Sequence, residues 1–370
     1  MTGITIVEQI AHEYIEKLVL TSNPMRPKWN RENYIFRKQP KWNYMDSCMI
    51  RALLMFDNQE YTDYAVDFVN SYIDTDGNIP TMNILDYNLD NVCGGVNLIK
   101  LYQITGDERY RLGYEKIYQQ QLMNHPRLKC GSFWHKAIYP NQMWLDGAYM
   151  ALPFMAMYGK IKGESSIVED AVSQMMNIHD IMRDIETGLY YHGYNETKDM
   201  FWADSETGLS SQFWLRSNGW LCAGMADMYG ITADKRIGDM LHEHVKALSR
   251  YITDDGMLLQ LPTRNELEAN YPETSGTLLY AYGAMKGGHL GCVDDEFVKK
   301  GKNALLAVTT GYIEHSGDIP ILKNICLMGG LGGTPNRDGS AEYYLSERVV
   351  ENEAKGIAPY LMAAALLLKS

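Results

Sequence analysis

Chemistry-bearing side chains gather at a few places in this chain: Tyr44 with Asp46, Asp86 with Asp90, Trp144 with Asp146, Arg216 with Asn218, and Glu273 with Ser275. His135, Lys136 and His192 lie in the connections between them. Two acids such as Asp90 and Asp146 can serve as an acid and base pair on a glycosidic bond. Tyr and Trp have an apolar face and a polar edge, which suits a wet cleft that stacks on sugar rings. Aromatic usage is skewed that way, with 26 Tyr and 7 Trp against 8 Phe. Helix starts favour Asp, Asn and Ser as caps worth about 1 kcal/mol each, which accounts for any single acid here. Capping does not account for the Trp, His, Lys and Arg gathered beside them.

Bringing these groups together requires a repeating scaffold. An amphipathic helix that runs into a Gly-centred turn and a short extended stretch recurs along the chain. The turns are DTDGNIP (Gly77), KCGSFWH (Gly131), ETGLYYH (Gly188), DDGMLLQ (Gly256) and HSGDIPI (Gly317), at intervals of 54, 57, 68 and 61 residues. Helices before the turns show one apolar stripe, as at Ile167, Ala171, Met175, Ile178 and Met182. Helices after them, at 146–158, 218–229, 274–285 and 356–368, are apolar or small nearly all round, which marks them as buried on all sides. An N-terminal helix at about 4–20 with a partner at about 44–56 completes six pairs. The simplest closure is an all-α (α/α)6 barrel, a six-hairpin toroid formed as a single domain over residues 1–370. An open solenoid would expose a terminal inner helix, and neither end is polar enough to cap one. In the toroid every Gly turn delivers its polar residues to the same face.

Composition narrows the partner. With 34 basic and 46 acidic residues the net charge is −12, which excludes nucleic acid and anionic membrane surfaces and leaves a small molecule. The first 20 residues hold Glu8, Glu13, Glu16 and Lys17 and lack the pattern of a secretory signal. The apolar stretch 354–368 contains Lys355, Gly356 and Pro359 and is short of the ~20 residues that span a bilayer. Cys48, Cys93, Cys130, Cys222, Cys292 and Cys326 are widely spaced with no CxxC pair. They read as reduced core thiols of a cytoplasmic protein, and neither a metal nor a cofactor is expected.

Several motifs together resemble a known family. WLDGAYMALPFMA (144–156) with an upstream FWHK (133–136) is similar to the unsaturated glucuronyl and rhamnogalacturonyl hydrolases, glycoside hydrolase families 88 and 105. YYHGYNE (190–196), LRSNGW (215–220), ETSGTLLYAYG (273–283) and GGLGGTPNRDGSAEYYLSERVVENEAKG (329–356) continue the resemblance in order over roughly 42–368. The last motif places it nearer the rhamnogalacturonyl branch. The resemblance implies an (α/α)6 barrel and hydration of a vinyl ether at the non-reducing end of a pectin-derived oligosaccharide. It implies Asp146 as proton donor, Asp90 as second carboxylate and His192 as the histidine that binds or polarises substrate. Arg216, His135 and Lys136 would receive the uronate carboxylate, with Trp144 and Trp220 walling the ring beside Tyr44. Ser47 stands where relatives carry Gly, and would narrow the pocket mouth. A raised pKa is expected for Asp146, from burial and a neighbouring carboxylate prevailing over the helix N-terminus.

Other features read as structural. The glycines at 329, 330, 332 and 333 lack a following GK[ST] and suit a loop whose backbone approaches the pocket. His242, Glu243 and His244 lack metal-site spacing and read as surface residues of an outer helix. The rival functions are a conventional glycosidase on a saturated linkage, a sugar epimerase and a helical-repeat binding scaffold. The epimerase would need a second catalytic histidine, and the scaffold an explanation for the polar clusters.

Overall fold

The computed structural model describes residues 3–315, 317–333 and 336–369. Within them twelve long helices alternate between an outer and an inner ring. They are α1 (Gly3–Tyr14), α2 (Tyr44–Leu53), α3 (Gln59–Asn70), α4 (Gly95–Thr105), α5 (Glu108–Ile117) and α6 (Leu145–Lys162). The second half comprises α7 (Ser165–Met182), α8 (Leu215–Thr232), α9 (Lys235–Leu248), α10 (Thr274–His289), α11 (Asp295–Gly311) and α12 (Ala354–Leu368). Even-numbered helices form the inner ring. Each touches the next, and α12 returns to α2, so the ring is closed and the solenoid is excluded. Small residues permit this close approach: a Cβ added at Gly276 of α10 would lie 2.4 Å from Leu215 of α8.

The helix pairing differs from the one that the Gly turns suggest. Of the outer helices, each inner helix packs most extensively on the one that follows, as α6 on α7, α8 on α9 and α10 on α11, while α1 packs on α12. The reason lies in the connections. Inner-to-outer links reverse at once through left-handed caps such as Gly106 (φ 69°) and Gly163 (φ 70°). Outer-to-inner links are long, and they hold the Gly turns. Gly77 illustrates the constraint there: φ is 77°, and a Cβ would lie 2.5 Å from the Gly113 nitrogen. Ser316, in the Gly317 turn, and Thr334 and Pro335, in the glycine-rich C-terminal motif, lie outside the described residues.

Two ends of the ring differ in content. At the C-terminal ends of the inner helices, buried Asp227 of α8 accepts from Arg51 of α2 at 2.5 Å and from Tyr282 of α10 at 2.7 Å, and pairs with Lys286. Burial would raise this carboxyl, but Arg51 and Lys286 hold it below its usual range. A carboxylate buried there with two cations fixes three inner helices against one another. The opposite end receives the long connections and three antiparallel two-stranded ribbons, too small for a central sheet. One ribbon pairs Gln142–Trp144 with Gly193–Asn195, setting Trp144 opposite Gly193.

Two expectations about side-chain placement are corrected. All six cysteines are free, but Cys130 is exposed and Cys292 partly so, leaving four in the core. His244 is buried with Nε2 3.0 Å from the Asn218 carbonyl, because it falls on the stripe that α9 turns toward α8; of that trio Glu243 is exposed and His242 partly so. No helix among the described residues is long and apolar enough to cross a membrane.

Candidate active site

A cavity of about 380 Å³ opens at the N-terminal ends of the inner helices. Tyr44, Asp90, His135, Lys136, Trp144, Asp146 and Arg216 all line it, although they come from four different stretches of chain. Gly329 and Gly330 line it too, so the glycine-rich loop does approach the pocket with its backbone.

Asp146 occupies the first turn of α6. The N-cap is Trp144, whose side chain makes no cap bond, so the Asp146 carboxylate is not consumed by the helix. The Trp144–Gly193 register brings His192 alongside, with the Leu145 N–H donating to the His192 carbonyl at 3.1 Å. His192 is fully buried, and its Nε2 stands 3.2 Å from Asp146 Oδ2, off the line of a hydrogen bond. Its Nδ1 lies 2.6 Å from the Tyr344 hydroxyl. Burial pushes the Tyr344 phenol well above its usual range, so it stays protonated. A proton on Nε2 best satisfies the facing carboxylate, and Nδ1 then accepts from Tyr344.

The Asp146 carboxyl is not raised as the sequence suggests. Burial pushes it up, but the adjacent His192 and then the charges of His135 and Arg216 pull harder, and it falls below the usual carboxylate range. The expected like-charge push from Asp90 is weak, because Lys136 neutralises Asp90 at 2.6 Å. Asp90 sits in the turn Leu89–Val92, capped by Asn88, with His135 Nε2 at 3.7 Å. Burial lowers His135 to about 4, so near neutral pH the ring is uncharged and offers no cation to a carboxylate. Its own pull on Asp146 therefore operates only in acid. Burial works against the Lys136 ammonium, yet Asp90 more than offsets it and raises its pKa.

Arg216, in the first turn of α8, is only 2% exposed. It donates to the Cys326 carbonyl and to Ser275 Oγ and lies 4.7 Å from the Trp214 ring centre. Among the described residues no carboxylate comes within ion-pair distance of it. Tyr44 faces the same space, its phenol raised by burial and only partly countered by Arg216.

Two sequence expectations fail here, and His192, expected to meet substrate, is fully buried and does not itself line the cavity. Trp220 is buried against Tyr149, with ring centres 4.6 Å apart, and does not line the cavity. Trp214 lines it instead. Trp144 and Trp214 are both N-cap residues of inner helices, whereas Trp220 lies more than a turn inside α8. Ser47 also misses the cavity, donating back to the Asn43 carbonyl at 2.8 Å. Sequence reasoning overlooked Tyr344 and the pair of Lys355 with Glu353, 2.7 Å apart in the lining. Glu353 caps α12, as Glu273 caps α10, so the helix-start criterion could have found it. The lining holds seven Lys and Arg residues against four carboxylates, a net of +3 on a chain of −12.

A closed six-hairpin toroid whose inner helix starts surround acids, aromatics and cations is the architecture of an (α/α)6 glycosidase. The chain belongs to glycoside hydrolase family 88, whose sequence profile, described as Glycosyl Hydrolase Family 88, matches residues 15–370. A family 105 glycoside hydrolase from C. acetobutylicum ATCC 824 superposes with a TM-score of 0.89 at 31% identity, covering 98% of this chain and 99% of that one. An unsaturated glucuronyl hydrolase specific for heparin shares the fold at TM-score 0.72 and 14% identity, over 99% of this chain and 97% of its own. The unsaturated rhamnogalacturonyl hydrolase YesR of Bacillus subtilis (strain 168) is 28% identical over 175 residues, 46% of this chain and 47% of YesR.

Proposed function

We propose that this chain removes a 4,5-unsaturated uronic acid from the non-reducing end of an oligosaccharide, with unsaturated galacturonyl on rhamnogalacturonan fragments as the leading substrate. The observation that supports this best is the grouping of Asp146, His192 and a buried Arg216 that has no carboxylate partner among the described residues. Likeness to YesR and to a family 105 enzyme favours the rhamnogalacturonyl branch.

In this reading the uronate carboxylate docks on Arg216, an arginine suited to planar acids. Trp144 and Trp214 flank the ring, and Tyr44 offers a neutral hydroxyl. Asp146 gives its proton to C4 as water adds to C5, and the water's proton returns to Asp146. The hemiketal at C5 opens by breaking its bond to the ring oxygen, leaving a ketone. The C1 hemiacetal then releases the remaining saccharide. His192, steadied by Tyr344, orients Asp146 and the water. Asp90 with Lys136 serves as the second carboxylate site, holding ring hydroxyls.

Incubation with an unsaturated galacturonyl–rhamnose disaccharide tests this, because hydration destroys the conjugated double bond and its ultraviolet absorbance falls. Arg216→Gln should raise KM by about 10- to 100-fold, the worth of a buried charge-assisted hydrogen bond. Efficient cleavage of a saturated aryl galacturonide with no loss of absorbance on the unsaturated substrate would overturn the proposal.

A further inference from the structure

One wall of the cavity takes no part in the chemistry above. It is supplied by the segment that leads into α2, from which Arg31, Phe36, Lys38 and Lys41 face the lumen. The segment is held firmly: buried Asp46 of α2 accepts from Trp29 Nε1 at 2.8 Å, from Asn30 Nδ2 at 3.1 Å and from Asn43 Nδ2 at 2.7 Å. Lys38 pairs with Glu32 at 3.2 Å. Arg31 and Lys41 have no carboxylate within ion-pair distance among the described residues, and Arg31 Nε is buried without a hydrogen-bond partner. Phe36 remains 48% exposed beside them, an apolar face for a sugar ring.

The ring geometry separates this wall from the uronate site. In the cyclic order of the six inner helices, α2 stands diametrically opposite α8, which holds Arg216. With neighbouring helices about 8–10 Å apart, opposite axes of a six-membered ring stand about 16–20 Å apart. Tyr44, in the first turn of α2, reaches far enough into the lumen to be influenced by Arg216. Arg31, Phe36 and Lys41 belong to the connection before α2, so it is a saccharide of more than one ring that would meet both Arg216 and this wall. Resting on the hydrolase reading, we infer that the wall of Arg31, Lys41 and Phe36 is a subsite for a second acidic group, carboxylate or sulfate, on the leaving part of the saccharide. The preferred substrate is thus an oligosaccharide with an acid at each end of the cavity, rather than a disaccharide with a neutral leaving sugar.

Three unsaturated uronyl substrates test this: one with a neutral leaving sugar, one with a further uronate on the leaving saccharide, and one with a sulfate there. The readout is the ratio of kcat/KM for each acidic substrate over the neutral one, which also cancels partial loss of folded enzyme. In the unmodified protein both ratios should exceed one and shrink with added salt. Lys41→Gln and Arg31→Gln combined should lower the ratio about tenfold, as expected for two partly exposed ion pairs. If only the uronate or only the sulfate ratio falls, that identifies the acid. A ratio that the double variant leaves unchanged, with all three substrates turned over, overturns this inference alone. No absorbance loss on any of the three overturns the hydrolase reading and this inference with it.

Discussion

Replacing Asp146 by Asn should abolish turnover and, at neutral pH, tighten binding. The carboxyl of the free protein lies below its usual range, so it is ionised at neutral pH, yet the proposed reaction needs it protonated. The proton must therefore arrive with the substrate, driven by the uronate charge placed beside it. Two unit charges about 4 Å apart at an effective dielectric near 20 repel by about 4 kcal/mol. That corresponds to a coupling of about 10³ between protonation and binding, an upper value because Arg216 takes part of the uronate charge. Asn mimics the protonated acid and avoids the repulsion, so it should bind a saturated galacturonyl disaccharide at least tenfold more tightly at pH 7. The unmodified protein should lose affinity as pH rises from 5 to 8, while the Asn variant should not. Titration calorimetry at pH 5 in buffers of different ionisation enthalpy should find uptake approaching one proton, falling off toward pH 8 and absent in the variant. Equal or weaker binding by Asp146→Asn, with no proton uptake by the unmodified protein, would refute the reasoning.

Three further outcomes are expected. Tyr344→Phe leaves His192 Nδ1 buried without its partner; kcat should fall about tenfold, from the ~1–3 kcal/mol such a group costs, while KM, set by Arg216, changes little in steady-state assays. Trp220→Ala should cost about 3–5 kcal/mol in denaturant unfolding with little change in KM, whereas Trp214→Ala should raise KM, the reverse of what the sequence alone suggests. Burial raises Asp46 to about 6, despite hydrogen bonds from Asn43, Trp29 and Asn30. Because the folded state holds that proton more tightly than the unfolded chain, the unmodified protein should gain stability relative to Asp46→Asn as pH falls from about 6 to 4, by up to about 3 kcal/mol in urea titrations at each pH.

The legible parts of this protein were the local ones. A stripe such as Ile167 to Met182 reports which face of α7 is buried, and residues 274–285 report a helix buried all round, because burial must follow the helical period. Asp146, Arg216 and Tyr44 were legible for a similar reason. They sit at or next to the first turn of inner helices, and six such helices that lie side by side must bring their starts to one end. The same criterion, applied to the capping residue itself, selects Trp214 over Trp220 and includes Glu353. Helix pairing was not legible, since it depends on which connections are short enough to hold neighbours together.

The sequence by itself determined the alternation of outer and inner helices, the end at which polar residues collect and an acidic chain with a few cations among the site residues. Only the tertiary structure decided how those groups act on one another. The Trp144–Gly193 strand register sets His192 against Asp146, and Lys136 silences Asp90. Together with Arg216 these contacts reverse the expected direction of the Asp146 shift. Among the described residues, Arg31, Lys41, Arg216 and Arg337 are the lining cations with no carboxylate within ion-pair distance. Charge and helical period can be read along a chain, but electrostatic interaction falls off with distance through the folded protein, and those distances exist only once the ring has closed.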